Sequence, residues 1–531
     1  MSLTKSSKVK SCLPVNYNFK HLNNELYHFF NDIERGIMHA PYMVQILLPY
    51  SCRLNCLFCG SRPFKQCKKF GYSGVLQYIK KVYFEFLKID YTYTQRLEAL
   101  LNSNISQLKL IAIENNINPN IIDYIDSISK ESTMLSTIYL PYRVIIKLKY
   151  ELQQLNANQQ IIIIAYVTRW VSKLLVENGL DFTMDIEYYL KLINEAAEMG
   201  SKIISLGGFN DMFSSDEYLI PIMKLVKSSG MYGVAHTSGF IVNEALMEAM
   251  IDLSWDEINL SLHTTIDNIA KFLRGSKDYI KQVESFIAKF NRIKKKKNKK
   301  LPNINCVNVL NKFNYKEIVD MMRWVKAHEI NSLYFNPMWL YSKESFDIKM
   351  ENSDIEEFKY LISKNIMKIR DFHLSTNIEE LLELETMHVS TVYSDPPSIE
   401  DVETQFKDYS PMLKHPCSES SETCIDNSVC PAPWFQIAID NQGGPKLCAN
   451  HFMAPFTSNI HTQSLSEIWY GEEFNLARRN YVEGKLPIEC SRYCSQYPSF
   501  YIKKILEEYL GMKNFINSGQ VMPESFLGII S

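Results

Sequence analysis

"DIEYYLKLINEAAEMGSKIISLGG", residues 185–208, holds one helix and one strand in succession. Its first part places apolar residues at helical spacing and stops at Gly200; Lys202–Gly208 then reads as a short strand. The same alternation recurs downstream. Helical patterns at 216–230, 243–255, 278–291 and 316–329 each precede an apolar run, at 232–239, 257–263, 304–310 and 332–337. With "MVQILLP" (43–49) upstream, six strands alternate with helices, which predicts a parallel sheet with right-handed crossovers. No Rossmann glycine fingerprint is present, so the expected α/β fold is a partial (β/α)6 TIM-like barrel rather than a doubly wound sheet. In such barrels the chemistry sits at the carboxyl ends of the strands.

The first strand ends in "LLPYSCRLNCLFCGSRPF" (47–64), which carries Cys52, Cys56 and Cys59 at spacings of four and three. A disulfide needs two thiols, and a tetrahedral zinc site wants a fourth ligand. Three thiolates on one loop can hold three corners of a four-iron cluster and leave the fourth iron open. A zinc site completed by a histidine or by Cys67 is the competing reading.

The chain has 531 residues, of which 46% are hydrophobic and 22% charged, with a formal net charge of −2. Those values are ordinary for a folded protein of two to four domains. They give no sign of a nucleic-acid surface. The first twenty residues lack the apolar core of a signal peptide, and the aliphatic run Ile161–Ile164 is far too short to span a bilayer. The expectation is a cytoplasmic protein, with no membrane and no nucleic-acid partner, in which clustered cysteines read as metal ligands.

Residues 1–42 form an N-terminal segment, 43–65 and 184–345 the barrel, and 66–183 a helical insertion. Residues 346–424 form a linker region rich in Pro, Ser and Asp, and 425–531 a small cysteine-rich domain. The lysine run 294–300 reads as a solvated loop between a helix and a strand. In the tail, Cys430 precedes Gly443 by thirteen residues and Cys448 by eighteen; a hairpin is expected around Asp440–Gly444, and a helix separates these from Cys490 and Cys494.

The Cys52–Cys56–Cys59 spacing, with Phe58 before the last cysteine, resembles the signature of radical S-adenosylmethionine (SAM) enzymes. The resemblance implies a [4Fe-4S] cluster whose open iron binds SAM, and reductive cleavage of SAM to a 5′-deoxyadenosyl radical. "SLGGFND" falls where the family has Gly-Gly-Glu-Pro: Gly207 and Gly208 match, whereas Phe209 replaces the acid. That departure leaves the SAM amine to backbone carbonyls or to Asn210 and Asp211. "HTSG" (236–239) resembles the family's Thr-Asn-Gly, and "LSLH" its Ser-Leu-Asp, which makes Ser261 a candidate for the SAM ribose or carboxylate. Arg274 resembles a family arginine that meets the carboxylate. His236, His263, Tyr334, Asn336 and Trp339 lie at strand ends that would face substrate.

The tail is similar to the SPASM or twitch extension of these enzymes, including its "IW" helix and Arg478 and Arg479. It implies one auxiliary [4Fe-4S] cluster on Cys430, Cys448, Cys490 and Cys494, with a zinc ribbon as the alternative; Cys417 and Cys424 are candidates for a second auxiliary cluster. Cys12, Cys67 and Cys306 read as ordinary thiols. Members with this extension often modify peptides or proteins. The reading is therefore a radical SAM enzyme acting on a peptide or protein and fed by a flavodoxin-like or other low-potential electron donor. Oxidation or epimerisation of a small molecule, such as an amino sugar, and a non-enzymatic iron–sulfur protein are the alternatives.

Overall fold

The computed structural model describes residues 38–48, 52, 54–59, 75, 79, 83, 87, 93–130, 140, 141, 144, 147–174, 186–207, 211–214, 216–330, 332–340, 343–383, 387–390, 432–440, 443–447, 456 and 458–482. In chain order, β1 (Met43–Leu47) is followed by the insertion helices α1 (Thr94–Leu100), α2 (Ile105–Glu114), α3 (Pro119–Lys130), α4 (Lys149–Gln154) and α5 (Ala157–Ser172). The barrel then runs α6 (Ile186–Met199), β2 (Ile203–Gly207), α7 (Asp216–Ser228), β3 (Tyr232–Thr237), α8 (Glu244–Asp252) and β4 (Glu257–Ser261). It continues with α9 (Asp267–Arg274), α10 (Tyr279–Lys297), β5 (Asn303–Val309), α11 (Ile318–Ala327) and β6 (Leu333–Asn336). Next come β7 (Met338–Leu340), α12 (Lys343–Asp347), α13 (Asn352–Asp371) and β8 (His388–Ser390). The tail supplies α14 (Ala432–Phe435), β9 (Gln436–Ile439), β10 (Pro445–Lys446), α15 (Leu465–Trp469) and α16 (Glu472–Val482).

Strands β1 to β6 are parallel neighbours in sequence order. Because the order never reverses, right-handed crossovers leave every helix on one face of the sheet. That is the partial barrel expected from the alternation. Register then sorts the side chains. One row, Ile46, Leu206, Ala235, Ile258 and Ile304, is apolar and buried in the core shared with the helices. The neighbouring row on the opposite face is Gln45, Ser205, Val234, Glu257 and Asn303. This row of the inner face is therefore largely polar.

The expected hairpin forms at β9–β10, with Gly443 at φ +82° in its turn. It is built into the barrel sheet, because β9 pairs in parallel with β1 from Met43↔Gln436 to Ile46↔Ile439. The tail docks on α6 as well. Leu465 N donates to Glu195 Oε2 at 2.6 Å, and Trp469 Nε1 to the His39 carbonyl at 2.7 Å.

The insertion has its own core. Helix α5 is buried nearly all round, from Ile161 to Val167 and at Trp170 and Val171, and packs with Val75, Ile79 and Tyr83 from the upstream helical stretch. Ile161–Ile164 is thus the centre of a helical bundle; no helix among the described residues is long and apolar enough to cross a membrane.

The lysine run departs from expectation. Lys294–Lys297 form the last turn of α10, which ends at Asn298 in the left-handed region with φ 51°. Cations suit a helix carboxyl end, and Lys297 pairs with Asp252 at 2.7 Å.

Candidate functional site

The cysteine turn lies beyond the carboxyl end of β1, where Leu48 N still donates to the Gly207 carbonyl of β2 at 3.1 Å. From there it rests on the end of α9. Asn55 N donates to the Arg274 carbonyl at 3.1 Å, Leu57 N to the Leu273 carbonyl at 3.0 Å, and Cys59 N closes the turn on the Cys56 carbonyl at 3.3 Å. Helix α9 stops there because Gly275 takes φ +74°, and a Cβ at that glycine would sit 3.3 Å from the Asn55 side chain. Glycine at this helix end thus serves both the cap and the approach of the turn.

Burial holds Cys52 and Cys56 in their protonated form. It pushes Cys52 up to about 12, helped by the nearby Cys56, Cys59 and Asp211 charges and opposed by a hydrogen bond from the Leu54 backbone. Cys56 is pushed up to about 11 by burial, although Arg274 beside it works the other way. Thiols in this state keep their protons until a cation replaces them.

Arg274 is itself buried. Its Nη2 donates to Tyr279 Oη at 3.2 Å, its guanidinium lies 4.5 Å from the Tyr279 ring centroid, and among the described residues its Nε has no hydrogen-bond partner. Tyr279 in turn donates to the Ser261 carbonyl. His263 follows β4 and meets Phe58 edge to face with ring centroids 4.6 Å apart. Its Nδ1 accepts from Val309 N at 2.9 Å, so the neutral ring carries its proton on Nε2. Burial and the Arg274 charge hold it well below the ordinary histidine range.

Cys52, Cys56, Cys59, Phe58, Arg274 and His263 therefore gather around one turn, and Ser261 joins them through Tyr279. The donor set suits a four-iron cluster, with three thiols on a single turn beside a buried guanidinium whose Nε is unpartnered. Among the described residues no three His, Cys, Asp or Glu side chains converge closely enough to hold a metal ion, so the turn would have to tighten around a cluster.

Other expectations fare differently. A Cβ at Gly207 would meet the His236 side chain at 2.8 Å, so the glycine makes room for that ring. Asp211 is committed to the end of β3, accepting from Thr237 Oγ1 at 2.7 Å and from Ser238 N and Phe213 N at 3.2 Å. Trp339 is on β7, where it packs against both the barrel core and the insertion core. Tyr334 pairs with Ser375 Oγ at 2.5 Å, and Asn336 is exposed. Cys306 is a buried free thiol, as expected. Gly208, Phe209, Asn210, Cys12, Cys67, Cys417, Cys424, Cys430, Cys448, Cys490 and Cys494 lie outside the described residues. Sequence reasoning missed the docking of the turn on α9, since only the fold brings Asn55 beside Gly275.

No family model and no curated protein matched the sequence. Among solved structures, the chain is similar to Streptococcus suis SuiB bound to precursor peptide SuiA, at 11% identity and a TM-score of 0.45, over 91% of this chain and 76% of that one. It is also similar to native anSMEcpe with bound AdoMet, at 12% identity and a TM-score of 0.39, over 64% and 90% of the two chains. For BtrN in complex with AdoMet and 2-DOIA the identity is 10% and the TM-score 0.27, over 58% and 79%.

Proposed function

We propose that the chain is a radical SAM enzyme. The observation that carries this reading is the turn of Cys52, Cys56 and Cys59 at the carboxyl end of β1, backed by buried Arg274 with its unpartnered Nε. In this reading the three thiols hold the [4Fe-4S] cluster, and Phe58, Gly207, Gly208, Ser261 and Arg274 surround SAM. Arg274 is suited to a carboxylate, because a buried guanidinium gains most from a charge-assisted partner. When bound, the reduced cluster and SAM supply a 5′-deoxyadenosyl radical that takes a hydrogen atom from substrate. Cys430, Cys448, Cys490 and Cys494 hold one auxiliary [4Fe-4S] cluster, and a low-potential protein such as a flavodoxin supplies the electron in the cytoplasm. We take the substrate to be a peptide or protein, because the insertion is a folded unit with its own core and is larger than a cover for a small molecule requires.

The test is direct. Protein reconstituted with iron and sulfide without oxygen, then reduced with dithionite, should convert SAM to methionine and 5′-deoxyadenosine. Replacing Cys52, Cys56 and Cys59 together by Ala should abolish that product. Formation of 5′-deoxyadenosine at the wild-type rate in the triple variant overturns the assignment.

A further inference from the structure

A closed parallel barrel fills its interior with layers of branched apolar side chains, and a parallel sheet covered on both faces reads as continuous apolar strands. This barrel does neither. On its inner face, beside apolar Met43, Ile203 and Leu47, polar groups recur along two rows: Gln45, Ser205, Glu257 and Asn303 in one, His236, Asn259 and Asn305 in the other. Gln45, His236, Asn259 and Asn303 are mostly but not fully buried although their strands are internal to the sheet, so some of this face stays accessible.

Its polar groups form two sets. Ser205 Oγ and His236 Nε2 are 3.2 Å apart. Toward the amino end of the strands, Glu257 accepts from Tyr232 Oη at 3.2 Å and is hydrogen-bonded by Asn305 and Asn259. Asn305 Nδ2 also reaches Asn259 Oδ1 at 3.4 Å. Among the described residues every hydrogen-bond partner of Glu257 is uncharged. Lys227 pairs with the adjacent Asp256 at 2.6 Å. Glu257 itself is only 2% exposed, and its burial without a counter-charge pushes it up to about 7.

We propose that the inner face binds a cationic side chain of the lysine or arginine type, its charged head paired with Glu257 and its stem passing Asn259 and His236. A buried carboxylate held only by neutral donors is costly, and an entering cation offsets that cost. An acidic ligand would face the Glu257 carboxylate. An aliphatic one would cover the histidine and asparagine groups without satisfying them. The proposal deepens the peptide reading above by naming the chemistry of the residue that enters the barrel.

Calorimetric titration of the reconstituted protein with N-acetyl-arginine amide, N-acetyl-lysine amide, N-acetyl-leucine amide and N-acetyl-glutamate amide tests it. At least one cationic amide should bind about tenfold or more tighter than the other two classes, and Glu257→Gln should remove that advantage. Asn259→Leu, which keeps the carboxylate but crowds the path to it, should weaken the cationic amides by a similar factor and decides the matter if Glu257→Gln does not fold. Equal binding of all four amides, or a cationic preference that survives in a folded variant, overturns the proposal. The titration involves no reduction and no SAM cleavage, so it gives its answer whether or not 5′-deoxyadenosine is formed.

Discussion

The Phe58 ring meets His263 edge to face at 4.6 Å, and His263 is pinned by the Val309 amide at 2.9 Å, so the cysteine turn is tied through one ring to β4 and β5. Removing that ring should loosen the turn and leave a backbone N–H without its acceptor. His263→Ala is expected to cost about 2–4 kcal/mol of stability and to lower the iron retained at the turn. His263→Phe, which keeps an aromatic contact for Phe58, should retain more iron than the alanine variant. Iron analysis after desalting compares the two, and equal retention would mean that the contact does not organise the turn.

The thiols offer a second prediction. With Cys52 near 12 and Cys56 near 11, their thiolate fractions at pH 8 are small. Iodoacetamide should therefore alkylate them in cluster-free protein on the order of a hundredfold more slowly than an exposed thiol. Arg274→Leu removes the charge that favours the Cys56 thiolate, and should slow Cys56 further. Peptide mass analysis over time resolves each site; rapid labelling of Cys56 in the Arg274 variant would contradict the assigned electrostatics.

Glu257 and His236 should write opposite pH signatures into stability. Glu257 lies near 7 in the folded chain against an ordinary value of 4.5, so the folded state holds the extra proton between those values. Its contribution is fully present below about pH 4.5 and is lost as pH rises through 7. His236 is held near 4 by burial against 6.5, so the unfolded state binds the extra proton and stability falls as pH drops from 6.5 toward 4. Glu257→Gln should therefore gain on the wild type as pH rises from 5 to 7.5, by an amount on the order of 2–3 kcal/mol. Melting temperatures of both proteins across that range test the sign, and a constant difference would refute it.

The alternation of helix and strand signals was sufficient to read β1 to β6, because each signal is local. In "NINCVNV" Asn303 and Asn305 alternate, but only the register with Glu257 and Asn259 places these two on the inner face. The pairing of β9 with β1 was not legible, since a strand pattern does not name a partner so distant in the chain. The lysine run misled for another reason: charge density suggests a loop, whereas a helix carboxyl end favours cations. Contacts such as Asn55 with Arg274 arise where two separated segments meet, and no single-segment pattern encodes them.

Trp339 joins the two parts of the molecule. Among the described residues it alone packs against both the barrel core and the insertion core. The insertion core is otherwise self-sufficient, with α5 enclosed by its own neighbours. Trp339→Ala should therefore loosen the junction without melting the insertion. In amide hydrogen exchange followed by mass spectrometry, peptides covering β7 should exchange faster, while those covering α5 keep their protection. Truncation of a fully buried tryptophan costs about 3–5 kcal/mol, and this half-buried ring should cost less. If α5 loses its protection together with β7, the insertion depends on the barrel for its fold, and the two cores form one cooperative unit.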